Sequence, residues 1–396
     1  MASKYTWTKI SCYVGYVVQA VVNNFLPILF IALQDVYGLG YEKLARIIFV
    51  NFSAQMITDW LTPKIVLKIG HRTAAVLSEF TAALGLFMLG ILTKVMTNTY
   101  LAIMISVVMY AIGSGLIEVI ISPIVECLPT KDKTGNMAFL HSFYCWGQAF
   151  TVIVTTLLVF AFGYEGWANV PLVWSILPFI NMFTFFFVPI VEPKRDADSK
   201  TFKVLIKEPR FFGYMIMMLC AGASEIAMAE WASMFIQQAL GVSKVIGDLA
   251  GPCAFAIFMG SGRIWYAKVS NRVSFKKTVI IMSSLCFVCY LVVAICNIPW
   301  ISLIFCAACG FTVSLFWPAI LSQGAKRFDG ASVMYSIFAM CGDTGCCLGP
   351  WLLGVIADSY GLNIGFATMT LFPIGMILAV LLTLKNNRCK KMQIKV

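Results

Sequence analysis

Glu192-Pro-Lys-Arg-Asp-Ala-Asp-Ser-Lys-Thr-Phe-Lys-Val-Leu-Ile-Lys-Glu-Pro-Arg210 is the longest polar stretch in an otherwise strongly apolar chain. Six basic residues stand in it: Lys194, Arg195, Lys200, Lys203, Lys207 and Arg210. A helix needs about 20 apolar residues to cross a bilayer. Before the polar stretch, runs of that kind lie at 10–33, 43–62, 73–95, 99–127, 136–162 and 170–191. After it they lie at 210–240, 247–269, 276–296, 299–325, 331–358 and 361–384. The weakest of the runs is 43–62, which holds Asn51, Gln55 and Asp59. The expectation is an all-α membrane protein with 12 transmembrane helices: one bundle over 1–191, a cytoplasmic linker at 192–209 and a second bundle over 210–396. The linker's charge run reads as a solvated or headgroup-facing surface, with a regulatory binding site as the alternative. Met1 to Lys9 is short and polar and enters the first run without a small-residue cleavage site, so that run reads as an uncleaved helix and not a signal peptide.

Composition agrees with a lipid environment. Of the 396 residues, 60% are apolar or aromatic and 12% are charged, where a soluble domain has roughly 25% charged residues. The net charge of +11 would suit nucleic acid if it were gathered in one basic patch with interleaved aromatics. Instead 25 of the 29 Lys and Arg residues fall in alternate inter-helix segments. Nucleic-acid binding is therefore excluded, and by the positive-inside rule both termini are expected in the cytoplasm, the membrane being the plasma membrane. The exceptions are Lys43, Arg46, Lys94 and Lys244. Cys286 with Cys289, and Cys306 with Cys309, have C-x-x-C spacing, but they sit inside apolar runs with no histidine cluster near them. They read as small apolar side chains rather than as a metal site or disulfide framework. No cofactor is expected.

The two halves repeat. Ser122-Pro123 and Trp317-Pro318 are 195 residues apart, as are Gly135 and Gly330, and Gly147 and Gly342. Parallel duplication with a site at the midplane between the halves is a transporter architecture.

The stretch Gly113-Ser-Gly-Leu-Ile-Glu118-Val-Ile-Ile-Ser122-Pro123, followed by Asn136-Met-Ala-Phe-Leu-His141-Ser-Phe-Tyr144-Cys-Trp-Gly147, resembles the fourth and fifth helices of the fucose permease-like branch of the major facilitator superfamily. Gly222-Ala-Ser-Glu225 with Trp231, and Phe316-Trp317-Pro318, extend the resemblance into the second half. It implies a secondary transporter working by alternating access. The family's charged loop between helices two and three corresponds to Pro63–Arg72, with Lys68, Gly70 and Arg72 retained but Leu67 in place of the acid. The second copy carries Arg263, Lys268 and Arg272, with Asn271 in place of the acid. These residues are expected to form cytoplasmic gating loops, with Glu126 as the substitute partner for their positive charge. The resemblance also implies a pair of coupling acids in the first and fourth helices. Glu118 fits the second position, but the first is occupied by Asn24.

Intramembrane ionisable groups are functional suspects because each is expensive to bury. Asp59, Glu118, Glu225, Glu230 and Asp343 all fall within apolar runs. Proton coupling is expected to involve Glu118, Glu225, Asp343 and His141. Substrate binding is expected to draw on Asn24, Glu118, Ser122, Tyr144, Trp146, Gln148, Glu225, Trp231, Trp317 and Asp343, with Gln237 and Gln323 as further uncharged polar groups. Each has a purely structural alternative: a neutral acid hydrogen-bonded to a neighbouring helix, or an aromatic packed in the core or against lipid. Glu225 and Glu230 lie about 140° apart around a helix and should face different ways, Glu230 toward the extracellular rim. Asp59 is expected to pair with Lys64 or Arg72. Arg263 is expected at the cytoplasmic end of its helix, leaving no arginine in mid-span, which suits a neutral or weakly charged solute.

The reading is proton-coupled uptake of a monosaccharide-like solute by a monomer. Efflux of amphipathic or drug-like compounds is the alternative within transport. A membrane-embedded enzyme or receptor is the distant one, lacking any nucleophile, phosphate-loop or metal-ligand motif.

Overall fold

The computed structural model describes residues 2–129, 133–191, 205, 207–269, 272–296, 298–328 and 332–384. These residues are almost entirely helical: α1 (Thr6–Ile28), α2 (Phe30–Tyr37), α3 (Tyr41–Val95), α4 (Thr99–Glu126), α5 (Lys133–Phe162) and α6 (Asn169–Phe187) make the N-terminal bundle. The C-terminal bundle holds α7 (Pro209–Leu240), α8 (Lys244–Asp248), α9 (Ala254–Val269), α10 (Phe275–Ile295), α11 (Pro299–Val313), α12 (Phe316–Phe328), α13 (Ser332–Tyr360), α14 (Leu362–Thr368) and α15 (Leu371–Thr383). In lipid every backbone polar group must be satisfied internally, which is what continuous helices accomplish.

The helix breaks have local causes. Pro27 lacks an amide hydrogen and loosens the last turn of α1, so α1 and α2 bend by 41° and together form one crossing. A π-helical turn at Leu249–Cys253, containing Pro252, joins α8 to α9. In α3 the backbone turns at Gly70, whose φ of 77° and ψ of 164° suit glycine and strain other residues. Among the described residues ten helices are long and apolar enough to cross a membrane, and the α1–α2 pair makes an eleventh. The twelfth expected crossing is the part of α3 before Gly70, where Asn51, Gln55 and Asp59 dilute the apolar run.

Water-driven burial does not operate between helices in lipid, so close van der Waals packing through small residues takes its place. The patch Ala221–Ser224 on α7 does this against α13. A Cβ on Gly222 would stand 2.0 Å from the Gly342 carbonyl oxygen, and one on Gly345 would stand 2.0 Å from that of Leu219. The cysteines of the two C-x-x-C pairs are free and buried, with the Cys286 and Cys309 sulfurs in contact at 4.0 Å.

Among the described residues, hydrogen bonds join the bundles at two levels. At the end away from the termini, Lys244 Nζ donates to the Ile28 carbonyl (2.7 Å) and Thr156 Oγ1 donates to Asp248 Oδ2 (2.7 Å). Tyr41 OH donates to Gln238 Oε1 (2.6 Å), and Gln238 donates to Gln34. In the middle, Ser53 Oγ meets Cys347 Sγ at 3.3 Å and Thr344 Oγ1 meets Met56 Sδ at 3.3 Å. On the termini side of that middle layer, His141 and Trp146 are exposed. Among the described residues, the bundles are tied together at the far end and in the middle layer.

Candidate functional site

Asn51, Gln55 and Asp59 recur every four residues on α3, so they form one stripe on one face of the helix. That face turns inward. Gln55 Nε2 donates to Glu118 Oε2 on α4 at 2.7 Å, and Gln19 Nε2 of α1 donates to the same oxygen at 2.7 Å. Gly115 permits the approach one turn earlier on α4, since a Cβ there would lie 2.8 Å from Asp59 Oδ1. From the other bundle, α13 brings in Asp343. One carboxylate oxygen each from Asp59, Glu118 and Asp343 lies within 4.8 Å of the others. Asp59 and Asp343 are 3% and 2% exposed, and neither oxygen of Asp59 accepts a hydrogen bond.

Three ionised carboxylates cannot share that space unaided. At an effective dielectric of about 20, each pair near 4.8 Å repels by roughly 3.5 kcal/mol. Protons or a cation must reduce the charge when the three groups stand this close. Asp59 does not pair with Lys64 or Arg72 as expected from sequence. Lys64 lies over the Trp60 ring at 4.7 Å, and Arg72 donates to the carbonyls of Phe185 (3.1 Å) and Phe186 (2.5 Å) at the end of α6. A short carboxylate on the inward stripe cannot reach those cations.

Arg263 requires a second correction. It is not in the gating loop but reaches along α9 to Glu225 on α7, with Nη2 3.3 Å from Oε1. The side chain is 17% exposed, and the sequence reading overlooked it because it stands next to a loop-like motif; a long arginine can carry its head group well away from its own Cα. The guanidinium lies in electrostatic reach of Tyr16, Tyr144 and Cys145 of the N-terminal bundle. Tyr16 OH shares a 3.0 Å hydrogen bond with Ser122 Oγ, its ring is 5.2 Å from that of His141, and Tyr144 OH accepts from Asn24 Nδ2 at 3.4 Å. The structure therefore brings Asn24, Ser122, His141, Tyr144, Glu225 and Arg263 into one region beside the Glu118 cluster. Asn24 also donates to the Ala20 carbonyl (2.8 Å), so it acts as a neutral polar group where the resemblance would place an acid.

Other expected residues separate from this region. Trp231 is fully buried in the far-end seal: its Nε1 donates to the Pro350 carbonyl at 3.2 Å, and its ring meets those of Phe30 and Tyr41 edge-on. It therefore belongs to the packing at the far end. Gln237 likewise serves the seal, donating to Ser233 and Asp248. Trp146 is half-exposed beside Gly260 of α9, and Trp317 packs on Gly342. Gln148 is 1% exposed with Oε1 unpartnered, so the polar pair expected with Asp343 is not formed directly, as Asp343 turns to Asp59. Lys68 and Lys268 are exposed at helix ends, and Arg272 lies in the turn after α9. The Glu126 side chain lies outside the described residues, as does most of the 192–209 linker.

Two buried acids were missed. Glu79 on α3 accepts from Asn181 Nδ2 of α6 at 2.7 Å, within the N-terminal bundle. Asp248 pairs with Lys244 at 2.9 Å and accepts from Thr156 and Ser233. Each stands near the edge of an apolar run, where a charge looks solvated in sequence.

Comparison with known proteins gives the family. The Major Facilitator Superfamily matches residues 12–350. The membrane protein MosC of Rhizobium meliloti is 22% identical over 296 residues, covering 69% of this chain and 66% of its own length. A structure of the E. coli fucose:proton symporter FucP superposes with a TM-score of 0.68 at 14% identity, covering 97% of this chain and 100% of that one. The nucleoside transporter NupG superposes with a TM-score of 0.77 at 13% identity, covering 95% and 100%.

Proposed function

This chain belongs to the Major Facilitator Superfamily, whose members are transporters and not enzymes, and within that family we propose that it couples proton movement to transport of a small, hydroxyl-rich solute. The observation that carries this reading is the Asp59–Glu118–Asp343 cluster, because its three carboxyls are divided between bundles that must rock against each other. With the cluster protonated the bundles can close over the cavity. Ionised, the same groups repel across the interface.

Asn24, Ser122, Tyr144 and Gln19 supply hydrogen-bonding groups around the cavity, and Tyr16, Tyr144 and Trp146 supply flat apolar faces. This mixture suits a monosaccharide-like ring, in keeping with the fucose and nucleoside substrates for which the two structural neighbours are named. Uptake is the proposed direction, through the plasma membrane, by a monomer with both termini cytoplasmic and rigid units at 1–191 and 210–396.

The test is uptake into proteoliposomes under an imposed proton gradient, after a thermal-shift screen of sugars, nucleosides and amphipathic cations has found a ligand. Binding of a ligand to the folded state raises its melting temperature. The Glu118→Gln variant should retain binding and lose gradient-driven accumulation. Accumulation that survives in this variant refutes the role of Glu118. Dependence on sodium at constant pH would replace the proton by a metal cation at the same oxygens. A screen that yields only hydrophobic cations would favour efflux.

A further inference from the structure

We infer that Glu230 is a second proton-binding site, which locks the far end of the protein closed when protonated and releases it when ionised. This rests on the transporter reading given above, and it concerns a different acid at a different level of the molecule.

Glu230 sits on α7 of the C-terminal bundle, but its side chain lines a small cavity whose other walls all come from α1, α3 and α4 of the N-terminal bundle, with a turn from the α1–α2 bend. Leu26, Ile48 and Phe52 make apolar walls, and Asn23, Asn51 and Tyr110 are the polar ones. Glu230 is 2% exposed, and among the described residues neither carboxyl oxygen has a hydrogen-bond partner. In the same cavity Asn51 Oδ1 is also buried and unpartnered, its Nδ2 being spent on Asn23 Oδ1 at 3.2 Å.

An orphaned acceptor and an orphaned acid lining one small cavity have a simple resolution. A protonated Glu230 carries an O–H that Asn51 Oδ1 can accept; an ionised Glu230 would oppose acceptor to acceptor in an apolar pocket. The isolated carboxylate would lack any compensating hydrogen bond or cation there. Among the described residues, Tyr110 on α4 and Tyr144 on α5 lie in its electrostatic reach, and neither supplies a positive charge. The proton must enter from water on the far side, since opening that side withdraws α7 from the pocket and exposes the acid there. The step is protonation of a carboxylate followed by docking, with no bond broken.

The pocket also touches the coupling cluster. Asn51 bonds Asn23, Ser114 Oγ lies 3.4 Å from Asn23 Oδ1 and 2.8 Å from Gln55 Oε1, and Gln55 donates to Glu118. Occupation of the pocket by Glu230 thereby braces the side chains that hold Glu118.

The experiment is hydrogen exchange measured by mass spectrometry on the purified full-length protein in lipid nanodiscs, without substrate, over pH 5 to 9. Exchange of residues 34–45 and 238–248 is normalised to intrinsic rates. Wild type should show far-end opening that rises up to tenfold per pH unit across the titrating range, as expected for release of one proton. Glu230→Gln, permanently neutral and close in shape, should stay protected at every pH. Asn51→Leu, which removes the acceptor, should move the wild-type transition to lower pH. A pH response unchanged in Glu230→Gln, or a far end opened by that variant at low pH, overturns the proposal. If the pH response vanishes in Glu230→Gln but no solute is carried by the wild type, the latch stands and the transport reading fails.

Discussion

The far-end seal predicts how much a single hydroxyl contributes to the balance between inward- and outward-facing states. Thr156 Oγ1 lies 2.7 Å from Asp248 Oδ2 across the bundle interface and 2.8 Å from the Val152 carbonyl of its own helix. One hydroxyl proton serves both, so when the far end opens it falls back on Val152. What is lost on opening is the difference between a hydrogen bond to a charged group, about 1.5–3 kcal/mol, and a neutral one, about 0.5–1.5 kcal/mol. Replacing Thr156 by Val keeps the shape. It leaves Asp248 with Lys244 at 2.9 Å, Ser233 and Gln237, so no new unsatisfied charge confuses the result. The expected shift is about 1–1.5 kcal/mol toward the far-open state, or roughly tenfold in the equilibrium. Under conditions where reclosing outpaces exchange, amide protection in 238–248 reads that ratio directly. A tenfold fall there, with unchanged protection in α10 and α15, is the predicted result. Unchanged protection at 238–248 would show that these residues do not bear the closing contact.

Other perturbations test separate contacts. Arg263→Met should leave Glu225 buried without its cation and lower stability by about 3–5 kcal/mol; the Arg263→Met/Glu225→Gln double variant should recover most of that loss in a thermal melt. Gly345→Ala places a Cβ within 2.0 Å of the Leu219 carbonyl, so α7 and α13 must separate. A destabilisation of about 1–3 kcal/mol, typical of overpacking, should appear as earlier loss of the monodisperse peak on heating. Asp59→Asn removes one charge from the carboxyl cluster, and it should raise melting temperature relative to wild type more at pH 8 than at pH 5, since the repulsion it relieves exists only where the group ionises. An equal effect at both pH values would mean that the cluster does not crowd charge.

The all-helical, many-span fold was legible because lipid imposes length and apolarity on every crossing. The grouping of Glu118, Ser122, Tyr144 and Glu225 in one interior region was legible from the resemblance and from depth. What sequence could not show was pairing between distant helices. Asp59 looked like an edge residue, yet the four-residue stripe it shares with Asn51 and Gln55 was the available sign that it faces inward. Arg263 looked like part of a loop because sequence records where a Cα sits and not where a long side chain ends. Trp231 looked like a substrate platform, and only the packing of Phe30 and Tyr41 against it shows that it belongs to the seal.

The charge balance at the midplane bears on what can bind there. Asp59, Glu118 and Asp343 form one acidic group, while Arg263 is already engaged by Glu225 at 3.3 Å. An anionic solute would have to compete with Glu225 for the guanidinium while lying beside three further carboxyls. Under the proposed function a neutral polyol would meet no such opposition: it would donate to Glu225 and to the cluster and accept from Tyr144 and Arg263, and protonation of the cluster would add donors without adding net positive charge. On that proposal, proton and neutral solute would occupy the interface together, each lowering the barrier to closing the bundles over it. The buried pair Arg263–Glu225 tunes this preference. Neutralising Glu225 alone would free the guanidinium, and Glu225→Gln should gain affinity for carboxylated sugars that the wild type rejects, with the thermal shift for the neutral sugar falling. A variant that gains no binding of a sugar acid would place the guanidinium outside the solute's reach.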